Sequence, residues 1–78
     1  MSMNLAFETV RGGHFVDFPF QTPTGLSYDV LNAKSVEERL KLIESQMRDW
    51  KWDAELRKNL LRRIEVLLKD DTLRLIVV

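Results

Sequence analysis

The sequence has no cysteine, which removes disulfides and thiolate ligands and suits a reducing compartment. Its longest uninterrupted apolar run is Leu75–Val78, far short of the roughly 20 residues that span a bilayer. The first residues carry neither a basic flank nor a long apolar stretch, so no signal peptide is expected and the expected setting is cytoplasmic. Twelve basic and twelve acidic side chains cancel, so no global field draws the chain to nucleic acid or to a membrane. The one histidine, His14, sits beside a turn signal and makes a poor start for a zinc site. No glycine follows Gly25 and no proline follows Pro23. The elements beyond that point must therefore be set by capping and burial rather than by breakers.

What is present is the composition of an ordinary globular protein: 45% hydrophobic and 31% charged over 78 residues, enough for one core and not for two. Residues 1–78 are expected to form a single α+β domain. Leu5, Phe7 and Thr9 alternate within a first strand over 4–11. Gly12-Gly13 signals a two-residue hairpin loop, because a type I′ turn needs positive φ at both central positions. Val16, Phe18 and Phe20 alternate in a second strand over 14–20. Pro19 has no N–H to give, which places it at a strand end, an edge or a bulge. Thr22-Pro23-Thr24-Gly25 fits a type I turn. Leu26, Tyr28 and Val30 then alternate in a third strand over 26–31.

Ser35 followed by Glu38 forms a capping box, and Val36, Leu40, Ile43, Met47 and Trp50 make one helical stripe. Glu37–Lys41 and Glu44–Arg48 have the favoured order for i,i+4 pairs. A second stripe, Leu56, Leu60, Leu61, Ile64, Leu67 and Leu68, is out of phase with the first by roughly a quarter turn at about 100° per residue. One straight rod would bury only one of the two. Asp53 is a good N-cap, so the expectation is a helical hairpin that turns around Lys51–Asp53. Residues 72–78 return as a fourth strand, with Leu73, Leu75 and Val77 on one side. The expected fold is a two-layer, four-stranded antiparallel sheet in the order β-β-β-α-α-β, with the helical hairpin on one face.

The hairpin registers carry the functional expectations. A two-residue loop pairs Arg11 with His14, Phe7 with Phe18 and Glu8 with Asp17; a matching second turn pairs Asp17 with Asp29. Glu8, Asp17 and Asp29 then form an acidic row on the uncovered face, with Arg74 beside it as a neutralising partner. Directly opposed like charges are unfavourable, so this row is read as a solvated stripe, a dock for a basic partner or a site for a hard cation. Val10, Phe15, Leu31, Ile76 and Val78 share the same face. That much exposed apolar surface marks an interface, and a strand at the sheet edge can pair with a copy of itself.

A basic run in the second helix, Arg57, Lys58, Arg62 and Arg63, suggests phosphate contacts through Lys58, Arg62 and Arg63. The charges spread around the helix, however, and a solvated face accounts for most such runs. Gly12-Gly13 lacks the following helix that a phosphate loop requires. No serine or threonine has a nucleophile's surroundings, and no cofactor motif is present. The expectation is a small non-enzymatic protein–protein interaction module, a homodimer or a regulatory subunit, using the open sheet face, Arg74 and the final strand. The alternative is a nucleic-acid binder using helix 57–63.

Overall fold

The computed structural model describes residues 4–78. Among these residues six elements follow one another: β1 (Leu5–Thr9), β2 (Phe15–Asp17), α1 (Thr24–Asn32), α2 (Val36–Asp49), α3 (Ala54–Leu68) and β3 (Leu73–Val77). The sheet is three-stranded and antiparallel, in the order β2-β1-β3. The central strand is the one whose residues tolerate burial on both faces, for Leu5, Ala6 and Phe7 are all buried.

The α+β class and the helical hairpin agree with the pattern of the sequence. Ser35 Oγ accepts from the Glu38 N–H at 3.1 Å, and Glu38 Oε2 accepts from the Lys34 N–H at 3.3 Å, one residue earlier than a standard capping box. Asp53 Oδ2 accepts from the N–H groups of Glu55 and Leu56. Between the two helices, Lys51 takes φ 58°, the left-handed conformation that lets a helix end sharply. Of the two expected helical pairs, Glu44–Arg48 closes at 2.7 Å.

The expected third strand is corrected: residues 26–31 lie in α1, so among the described residues the sheet has three strands and the helices number three. Six residues with apolar groups at every second position also satisfy i,i+4 spacing. Leu26 and Val30 share a helix face, while Tyr28 points away and is exposed. Buried hydroxyls hold the start of this helix. Ser27 Oγ bonds to the Pro23 carbonyl at 3.1 Å and to Thr22 Oγ1, and Thr22 Oγ1 accepts from the Leu5 N–H at 3.4 Å.

The first hairpin is also corrected. Thr9 and His14 close a loop of four residues, with the Thr9 N–H on the His14 carbonyl at 2.8 Å. Phe7 therefore opposes Val16, Glu8 opposes Phe15 and Ala6 opposes Asp17. Only Gly13 takes positive φ, at 64°, whereas the two-residue loop requires it at both glycines. The register moves by two, so every side chain keeps the expected face. The second strand is cut to three residues because Pro19 cannot extend the ladder.

Leu5 and Phe7 join Phe18, Val30, Ile43, Met47 and Ile64 in the buried core. Phe7 and Phe18 no longer pair across strands, yet their rings stack at 5.8 Å. Phe20 meets both Trp50 and Trp52 edge-on at 6.1 and 5.5 Å, which pins the interhelical turn to the end of the sheet. α1 and α3 touch β3, and α2 packs on both of these helices.

Candidate functional site

The β1–β3 register is Leu5↔Val77, Ala6↔Ile76, Phe7↔Leu75, Glu8↔Arg74 and Thr9↔Leu73. Side chains alternate, so Leu73, Leu75 and Val77 face the helices and pack on the core. Glu8, Phe15, Asp17, Arg74 and Ile76 face the other way, and Val10 and Val78 continue that side. Val10, Phe15 and Val78 are 54%, 62% and 53% exposed. Three large apolar side chains are thus exposed on the side of the sheet turned away from the described helices.

Leu31 does not belong to this face. It lies in α1, where its carbonyl accepts from Arg39 Nη2 at 3.2 Å while the Val30 carbonyl accepts from Arg39 Nε at 3.0 Å. The arginine thereby caps the end of α1, where the Val30 carbonyl also accepts from the Ala33 N–H at 3.3 Å.

The acidic row does not form. Asp29 is carried by α1 rather than by a strand, and Glu8 and Asp17 oppose Phe15 and Ala6 rather than each other. Glu8 instead receives both Nε and Nη2 of Arg74, at 2.9 and 2.7 Å. The expected neutralising role of Arg74 is thus met, by direct pairing with Glu8 across β1 and β3. Among the described residues no group of three or more His, Asp or Glu is placed to hold a metal ion.

Among the described residues no further strand pairs with the outer edge of β2 or of β3, and the two edges differ. β2 is three residues long and exposed throughout. β3 is five residues long with apolar side chains on both faces. The bonds Asn4 N–H to Val78 O, Val78 N–H to Asn4 O and Val10 N–H to Thr72 O fix which residues of β3 turn their backbone toward β1. By alternation, Arg74, Ile76 and Val78 do so, and Leu75 and Val77 turn theirs to the outer edge. A groove of about 320 Å³ opens beside that strand, between Leu73 and Leu75 of β3, Leu67 and Leu68 of α3, and Arg39.

A second concavity, of about 420 Å³, lies between α2 and α3. Lys58 and Arg62 line it together with Arg48, Arg57, Glu44 and Glu65. Arg63, grouped with Lys58 and Arg62 from sequence, is separated from them and lies with Val16, Pro19 and Val66 on the other flank of α3. Arg57, part of the basic run but outside its expected phosphate contacts because its position falls within the apolar arc of the helix, lines the same groove.

No helix of the described residues is long and apolar enough to cross a membrane. Comparison with known proteins finds no match: no family model, no curated protein and no solved structure is similar to the chain.

Proposed function

We propose that the protein is a small non-enzymatic self-association module in which β3 pairs antiparallel with β3 of a second copy. The observation that carries this reading is the backbone of Leu75 and Val77, directed outward from an edge strand that is apolar on both faces. An edge of this kind is a template for another strand, and pairing identical strands antiparallel gives a closed two-fold dimer.

One register suits the side chains best. With the two-fold axis at Ile76, Leu75 and Val77 exchange backbone hydrogen bonds with Val77 and Leu75 of the second copy. Ile76 then meets Ile76 on the open face, and Leu75 meets Val77 on the helix side. Ile76–Ile76 and Leu75–Val77 are apolar pairs, the favourable cross-strand arrangement, while Arg74 falls opposite Val78 at the margin of the pairing. The Glu8–Arg74 pair stays at the surface in this geometry. Stacking the two open faces would bury it, and burial of an ion pair carries a desolvation cost that its attraction seldom exceeds. Edge pairing is therefore preferred to face stacking.

Sedimentation velocity over a wide concentration range tests the reading. A concentration-dependent dimer is expected, and Ile76→Lys should abolish it by placing two ammonium groups opposite each other. Val77→Pro, which removes an outward N–H and leaves the β1 ladder intact, should do the same. A wild-type chain that stays monomeric at millimolar concentration, or a dimer indifferent to both substitutions, would remove the proposal.

A further inference from the structure

The groove between α2 and α3 is independent of the sheet edge, and its charges are unevenly satisfied. Of its two carboxylates, Glu44 is occupied by Arg48 at 2.7 Å, and Glu65 has Lys69, which lies outside the groove, at 3.9 Å. Arg57, Lys58 and Arg62 make no ion pair among the described residues. Arg57 is half-buried, and its Nε is shut off from solvent without an acceptor. Leaving a buried donor of a charged group unpaired is costly, so an arginine held this way gains from an incoming oxygen. Arg57 lines the groove.

We infer that this groove binds a small phosphate-bearing molecule, with Arg57, Lys58 and Arg62 as the anion contacts. Positions 57 and 62 are about 7.5 Å apart along the helix at 1.5 Å per residue and lie on different flanks of it, yet both line the one groove, where long side chains can reach one phosphate or two linked ones. Arginine presents paired N–H donors that match phosphate oxygens. Leu40, Ala54 and Leu61 supply an apolar floor for the rest of the ligand. The volume of about 420 Å³ falls in the range of small-molecule sites. A long polyanion fits less well, since it needs an extended basic track and the chain is neutral overall with Arg63 facing elsewhere.

The test is a titration of the full chain with inorganic phosphate and with pyrophosphate, followed by amide chemical shifts in NMR at about 0.15 M ionic strength. Saturable shifts confined to α3 and the facing turns of α2 are expected. Arg62→Gln should weaken pyrophosphate about tenfold, the factor that 1.4 kcal/mol represents, while Arg63→Gln leaves affinity unchanged. Both side chains are exposed, so circular dichroism should show two folded variants. Shifts that never saturate, or equal losses from both substitutions, would overturn the site. A single-stranded oligonucleotide that binds with steep salt dependence and is not displaced by pyrophosphate would overturn it in favour of nucleic acid.

Discussion

Glu8 and Arg74 are 66 residues apart in sequence and face each other across β1 and β3, with both Nε and Nη2 of Arg74 on one oxygen, Oε2, of Glu8. This contact fixes the outer face of the sheet as a mixed surface: an ion pair in the middle, apolar groups around it. The Arg74 side chain is 63% exposed and that of Glu8 is 21%. Solvent therefore screens the pair. Arg74→Met should cost no more than about 1 kcal/mol, and the loss should shrink at high salt. Urea melts at two salt concentrations measure this.

Phe7 presents the opposite situation. It is 1% exposed on the central strand and stacks on Phe18. Phe7→Ala removes the largest fully buried side chain and should cost about 3–5 kcal/mol. Small domains have only about 5–15 kcal/mol in total, so thermal melting should drop sharply or vanish.

Lys51 holds φ 58° in the turn between α2 and α3. A side chain in that conformation costs roughly 1 kcal/mol that glycine avoids. Lys51→Gly should raise the unfolding free energy by a few tenths to about 1 kcal/mol, the residue's greater unfolded freedom offsetting part of the gain. Chemical denaturation of the pair of proteins gives the sign directly.

Asp70 accepts from the hydroxyl of Thr72 at 2.6 Å and from its N–H at 2.8 Å, ahead of β3. The hydroxyl bond, then the backbone bond, holds its carboxyl below the ordinary value. A depressed folded pKa stabilises the protein above the unfolded value, and that contribution disappears as pH falls through the folded one. Asp70→Asn should lower stability slightly at and above neutral pH, where the ionised carboxylate contributes, and converge with the wild type in acid, so that the acid limb of the profile flattens. The carboxyl is solvent-facing, so the effect is small and is best read as a change in slope.

The parts legible from sequence are those whose signals are local. The caps at Ser35 and Asp53, the phase break between two amphipathic stripes, and the return of the chain as a strand at Leu73 all rest on neighbouring residues. So does the face that each strand residue takes, since alternation survives a register shift of two. Of the candidate interface, Val10, Phe15, Arg74, Ile76 and Val78 fall on the open side for that reason. Leu31 does not, because its segment follows the helical period and lies in α1.

What the sequence determined by itself is the helical hairpin, the alternating faces of the outer strands and the lack of any thiol chemistry. These follow from side-chain spacing and capping groups within a few residues of each other. Tertiary structure alone decided that residues 26–31 coil rather than extend. That segment satisfies both periods, and the buried contacts of Val30 and of the Thr22–Ser27 hydroxyls select the helix. It also decided that Glu8 finds Arg74 instead of another carboxylate, and that Arg57 joins Lys58 and Arg62 in one groove while Arg63 is turned away. Partners distant along the chain meet only once the core has packed, and no local pattern encodes which of them will.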